Sequence, residues 1–186
     1  MLLVVDEKKR IRIGEKEFRI FIRSDKIREA VKRIAVELNR EHENDRPLFV
    51  TVLNGAFLFA ADLLKDIKIE CEISFVKLSS YSGTSSTGIV KELVGLSENI
   101  EGRTVIVLED IVDTGVTLES VYRQLKKLKP KKLKVAALLF KPKAYSKKIK
   151  VDHVGIEVGN EFLVGYGLDH NGSGRNLQDI YVESSD

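Results

Sequence analysis

The chain has 186 residues, 43% of them hydrophobic, and a formal net charge of +3. That length suits one domain with a sizeable core, and the composition is neither disordered nor fibrous. The single cysteine, Cys71, excludes an internal disulfide framework and a multi-cysteine zinc site. His42, His153 and His170 are too scattered to suggest a metal cluster, no apolar run approaches the roughly 18 to 20 residues of a membrane helix, and Met1 to Val5 is too short for a signal peptide, so a cytoplasmic chain is expected.

In chain order, an extended pair at 10–13 and 18–23 precedes a helix starting near Ser24, whose apolar stripe is Ile27, Ala30, Val31, Ile34, Ala35 and Leu38. A buried-type strand at 48–53 runs into Asn54-Gly55-Ala56 and then a helix at 56–65. A strand at 70–78 leads to Ser79-Ser80-Tyr81-Ser82-Gly83-Thr84-Ser85-Ser86-Thr87-Gly88, a hydroxyl- and glycine-rich stretch read as a mobile loop, and then an extended run at 89–94. Strand 104–108, helix 116–128 and strand 133–140 continue the alternation, which argues for an α/β fold with a mainly parallel sheet flanked by helices. Short strands in 151–186, with the early pair in 1–23, are expected to build a small hood at the sheet edge. No repeat or long linker divides the chain. Lysine clusters at Lys126-Lys127, Lys131-Lys132-Lys134 and Lys147-Lys148-Lys150 lack interleaved aromatics and read as solvated surface, so no nucleic acid partner is expected.

The segment from Val105 to Leu118 carries the chemistry. Val105-Ile106-Val107-Leu108 has the unbroken apolar character of a strand buried on both faces, and it delivers Glu109 and Asp110 to the carboxyl end of the sheet, where open α/β sheets bind ligands. Asp113-Thr114-Gly115-Val116-Thr117 follows and opens a helix through Leu118, Val121, Leu125 and Leu128. Gly115 permits a tight turn, and the free amides of the helix start attract an anion. Carboxylates in front and a phosphate nest behind suit a ligand with hydroxyls and phosphate. The same residue types also occur in ordinary capping loops. A magnesium phosphatase pattern, Asp-x-Asp-x-Thr, fails because two residues separate Asp110 from Asp113.

These residues resemble the phosphoribosyl-diphosphate signature of the type I phosphoribosyltransferases. The resemblance implies that Glu109 and Asp110 hold the ribose hydroxyls, that Asp113, Thr114, Gly115, Val116 and Thr117 bind the 5-phosphate, and that the fold is that family's, a mainly parallel sheet with a hood.

Lys141, the stretch Glu161-Phe162-Leu163-Val164-Gly165-Tyr166-Gly167-Leu168-Asp169 and Arg175 speak to the acceptor. A planar base needs an aromatic face, for which Phe162 offers stacking of about 0.5 to 1.5 kcal/mol, and an exocyclic carbonyl needs a donor such as the Lys141 ammonium. The extended run 162–164 can read a base edge with its backbone.

This stretch resembles the hypoxanthine-guanine branch of the family. By that resemblance Lys141 meets the purine oxygen, Phe162 stacks, the Leu163 backbone pairs with the base, Asp169 holds magnesium directly or through water, and Arg175 contacts diphosphate. Glu109 and Asp110 complete the expected metal set, and Asp113 exchanges a proton at purine N7. Asn54 and Gly55 stand where the family's diphosphate loop lies, often with a strained peptide. This chain departs at Asn54, where many relatives carry lysine or arginine, while the amides of Gly55 and Ala56 remain. Ser80 and Tyr81 resemble the lid that closes over the reaction. The implied activity is transfer of 5-phosphoribose from 5-phosphoribosyl 1-diphosphate to hypoxanthine or guanine with Mg2+, by a homodimer or homotetramer. Two alternatives stay open: a phosphoribosyltransferase for another base, and an RNA- or DNA-binding regulator on the same fold.

Overall fold

The computed structural model describes residues 3–4, 10–81 and 90–184. Strands β1 (Leu3–Val4), β2 (Arg10–Ile13) and β3 (Lys16–Ile22) form an antiparallel meander. In β2, Ile11 and Ile13 point inward and Arg10 and Arg12 outward, the alternation of a strand with one wet face. Helix α1 (Ser24–Glu41) buries the stripe its spacing predicts, from Ile27 to Leu38. Then come β4 (Leu48–Val52), α2 (Phe57–Asp66), β5 (Glu72–Tyr81), β6 (Val90–Val94), β7 (Thr104–Val112), α3 (Val116–Lys127), β8 (Lys132–Phe140), β9 (His153–Glu157), β10 (Leu163–Val164) and β11 (Ile180–Glu183).

The larger sheet has the order β6-β5-β4-β7-β8-β9 and is parallel except at its β5–β6 edge. Successive strand residues face opposite sides. Phe49, Ile106 and Leu108 therefore pack with Ile34 and Leu38 of α1 and Phe59 and Leu63 of α2, while Val50, Val105 and Val107 pack with Leu118, Val121 and Leu125 of α3. Each such fully buried side chain contributes about 1.5 to 3 kcal/mol, so the central strands are held from both faces. The smaller sheet, β1-β2-β3-β11-β10, joins the two ends of the chain around Ile11, Ile13, Phe18, Val164 and Tyr181.

Three sequence expectations need correction. Strand β7 does not stop at Leu108: its parallel ladder with β8 continues through Glu109 opposite Ala137 and Val112 opposite Phe140, so the acid pair lies inside the strand. Ser79, Ser80 and Tyr81 are not loop; their backbone pairs with Glu92, Lys91 and Val90, which extends β5. Residues 82–88 of the expected lid, and Ile89 of the extended run expected after it, lie outside the described residues. Finally, His153–Glu157 leaves the hood and forms the edge of the larger sheet, where Gly155 packs so closely on the Leu138 carbonyl that an added Cβ would lie 2.4 Å from its oxygen.

Candidate active site

Alternation along β7 sets the two acids apart. Asp110 falls on the face of Ile106 and Leu108, toward α2, and Glu109 on the face of Val105 and Val107. Glu109 is 4% exposed. Burial, reinforced by the neighbouring Asp110 charge, holds its carboxyl well above the ordinary carboxylate range. Burial also pushes Asp110 up, to about 6, against the opposing effect of the Ile111 amide, which donates to Oδ1 at 2.8 Å, and of Arg175. The nearby Asp169 charge acts in the upward direction.

Helix α3 begins at Gly115, whose φ of 84° is left-handed, and no side chain caps its first amides. A Cβ at Gly115 would lie 2.4 Å from the Tyr145 ring, so the turn needs glycine twice over. Val116 and Thr117 beside it are exposed. The uncapped, positive helix end therefore faces solvent, the arrangement an anion requires.

After β4, the Leu53–Asn54 peptide is cis and the chain turns into α2. A Cβ on Gly55 would fall 1.7 Å from Asp110 Oδ2, so the expected diphosphate loop lies directly against Asp110. From the other side, Gly167 touches the same loop: a Cβ there would lie 2.0 Å from the Gly55 carbonyl oxygen. Gly167 in turn is bonded to Arg175, which donates from Nη1 to the Gly167 carbonyl at 2.7 Å and pairs through Nη2 with Asp169 Oδ1 at 2.7 Å. Asp169 Oδ2 accepts from the Gly172 amide at 2.7 Å. Thus Asp110, Gly55, Gly167, Arg175 and Asp169 form one continuous wall.

Lys141 follows β8, and its backbone amide donates to the Val112 carbonyl at 2.9 Å. Its ammonium, 7% exposed as a residue, donates to Asp113 Oδ2 at 2.8 Å. The side chain assigned from sequence to the purine oxygen is therefore paired with the residue assigned to N7. Phe162 stands at the edge of the hood, 44% exposed. Its ring meets His170 edge-on at 5.6 Å and Phe18 at 6.4 Å, and Lys16 lies over it at 5.6 Å. Leu163 is buried in β10, opposite Val182.

No group of three His, Cys, Asp or Glu side chains placed to hold a metal ion occurs among the described residues. Glu109, Asp110 and Asp169 therefore do not form a closed protein cage, because Asp169 is engaged by Arg175 and the Gly172 amide. An oxygen-only donor set of this kind still fits Mg2+, which keeps waters and is held by one or two carboxylates together with substrate phosphates. Sequence reasoning did not assign Gly167, Lys16, His170, or Tyr166 with its partner Asp62. The Gly-Tyr-Gly run, Gly165 to Gly167, was the visible signal for Gly167 and Tyr166.

A wall of acids, glycines and arginine beside an uncapped helix start is a layout suited to a ligand that carries both hydroxyls and phosphate. A family model, the phosphoribosyl transferase domain, matches residues 23–171, and the chain belongs to that family. It is 40% identical over 165 residues to the hypoxanthine-guanine phosphoribosyltransferase of Bacillus subtilis, covering 88% of this chain and 92% of that one. It is 42% identical over 165 residues to the bifunctional protein TilS/HprT of Listeria monocytogenes, covering 88% of this chain and spanning only 26% of that longer protein. The structure of hypoxanthine phosphoribosyltransferase from Trypanosoma cruzi in complex with the product IMP is similar at 30% identity and a TM-score of 0.81, covering 93% of this chain and 97% of that one.

Proposed function

We propose that this chain transfers the 5-phosphoribosyl group of 5-phosphoribosyl 1-diphosphate to N9 of hypoxanthine or guanine, forming IMP or GMP and releasing diphosphate in purine salvage. One observation carries the reading: segments far apart in sequence meet at Gly55, with the Asp110 carboxylate on one side and Gly167, bonded to Arg175, on the other. A ribose bearing a leaving diphosphate needs that combination of carboxylates, backbone and guanidinium. The names of relatives 40% identical over most of both chains support the same substrates.

As the anomeric C–O bond breaks, positive charge develops on the ribose ring and negative charge on the departing diphosphate. Arg175 and the amides of the Gly55 loop would receive the diphosphate oxygens. Glu109 and Asp110 would accept hydrogen bonds from the ribose hydroxyls and lie near the developing cation. The uncapped start of α3, from Thr114 to Thr117, would hold the 5-phosphate and fix the sugar in line with the base. Purine N9 attacks, and Asp113 takes the proton released from N7. An ammonium has three N–H donors, so Lys141 keeps its bond to Asp113 while offering another to the purine oxygen. Phe162 would stack on the ring, and the Leu163 backbone would read its edge. Asp169, with the Glu109–Asp110 pair, would hold magnesium directly or through water, where the cation neutralises diphosphate charge. Ser80 and Tyr81 would belong to the lid. The same reading places the chain in the cytoplasm as a homodimer or homotetramer, a state that light scattering on the purified protein measures.

The test is steady-state assay of hypoxanthine, guanine, xanthine and adenine with labelled donor and magnesium. Nucleotide formation with hypoxanthine and guanine is expected. Use of adenine alone would refute the assignment.

A further inference from the structure

Gly165, Tyr166 and Gly167 run through three successive left-handed conformations, with φ of 101°, 48° and 100°. Glycine adopts this region freely, whereas a bulky side chain rarely does. Tyr166 is buried, and its hydroxyl donates to Asp62 Oδ2, on α2, at 2.8 Å. Asp62 is itself held by Lys65 at 2.7 Å, and its backbone carbonyl accepts from Arg28 at 3.3 Å. On the far side of the turn, the Gly167 amide donates to the Arg175 carbonyl at 2.8 Å, the Gly167 carbonyl accepts from the Arg175 guanidinium, and Gly167 presses on the Gly55 carbonyl. The hydroxyl bond therefore ties the hood turn to the helix that starts just after the Gly55 loop.

We propose that the Tyr166–Asp62 hydrogen bond is a positioning device for the diphosphate of the donor: it sets Gly167 against Gly55 and thereby places the Arg175 guanidinium and the Gly55 peptide toward a common ligand. Neither side chain is assigned to the reacting atoms. The inference rests on the phosphoribosyl transfer proposed above, and it concerns the donor half of that site alone. The Lys141–Asp113 pair belongs to other segments, and Phe162, earlier on the same stretch, packs its ring on Phe18 and His170, so the acceptor half is left as it is.

Tyr166→Phe deletes one oxygen and keeps the ring. Loss of a hydrogen bond to a charged group is expected to raise the donor KM, and the Kd of inorganic diphosphate with magnesium read by thermal-shift titration, by about tenfold while the hypoxanthine KM stays unchanged. Asp62→Ala should reproduce the effect, and Asp62→Asn, whose amide oxygen still accepts the hydroxyl, should restore donor binding. The Asp62 pair scores the proposal even if Tyr166→Phe does not fold. A fall in kcat or melting temperature with both KM values unchanged overturns it, as does equal weakening of donor and base, or Asp62→Asn no better than Asp62→Ala. Diphosphate binding needs no turnover. A wild-type protein that binds diphosphate but makes no nucleotide refutes the proposed reaction and leaves the positioning comparison to be scored by binding; one that binds no diphosphate overturns both.

Discussion

Asp110→Asn is expected to stabilise the ligand-free protein while crippling it as a transferase. Burial raises the Asp110 carboxyl from an ordinary 3.8 to about 6, so at neutral pH the native state carries a charge it would rather neutralise. Folded protein holds the proton more tightly than unfolded chain, and the stability due to the protonated form is complete below pH 3.8 and lost as the pH rises through about 6. At about 1.4 kcal/mol per pH unit, that interval corresponds to about 3 kcal/mol of native-state cost above pH 7. Asparagine is uncharged, and its carbonyl oxygen can still accept the Ile111 amide that now donates to Oδ1. Removing the charge also relieves Glu109, whose carboxyl the Asp110 charge pushes up. For a chain of this size, about 3 kcal/mol raises the melting temperature by roughly 6 to 12 °C at pH 7.5. The gain should shrink to roughly half its free-energy value by pH 5. Thermal unfolding of both proteins from pH 5 to 8, with and without donor and magnesium, measures this. Donor should stabilise the wild type more than the variant. A variant that melts at or below the wild-type temperature at pH 7.5, or a gap that widens toward low pH, would refute the reasoning.

Three other substitutions follow from the same geometry. Gly55→Ala puts a Cβ 1.7 Å from Asp110 Oδ2, so donor binding should collapse and the melting temperature fall, whereas an alanine tolerated in both respects would show that the loop does not sit on the acid. Phe162→Ala removes a ring that is 44% exposed, so stability should change little. The lost stacking should raise the hypoxanthine KM about 2- to 12-fold, and an unchanged KM would dismiss the stacking role. Asp113→Asn should lower turnover by about 10²- to 10⁴-fold, the usual contribution of a positioned acid–base group. Near-normal turnover at every pH would remove Asp113 from the proton transfer.

The local structure of the segment proposed to bind the donor was readable because it is contiguous. Strand, acid pair, glycine turn and helix start follow one another within Val105 to Leu118, and each step is dictated by neighbouring residues. The α1 stripe and the buried strands were readable for the same reason. The strand's continuation through Glu109 and Asp110 was not, because it depends on the ladder to β8 rather than on polarity. The strand character of Ser79 to Tyr81 likewise comes from pairing with β6. The contact of Gly55 with Asp110 requires β4 to lie beside β7, and that of Gly167 with Gly55 requires the hood to fold onto the larger sheet. No local pattern encodes either. Lys141 was legible as a donor, but its pairing with Asp113 arises from the adjacent ends of β8 and β7.

The most direct measurement incubates purified protein with hypoxanthine, 5-phosphoribosyl 1-diphosphate and magnesium, and quantifies IMP and diphosphate by mass spectrometry. Equimolar appearance of the two, dependent on protein and abolished by Gly55→Ala, is the expected result. Donor that persists unchanged beside hypoxanthine, or diphosphate released without any IMP, would contradict the assignment.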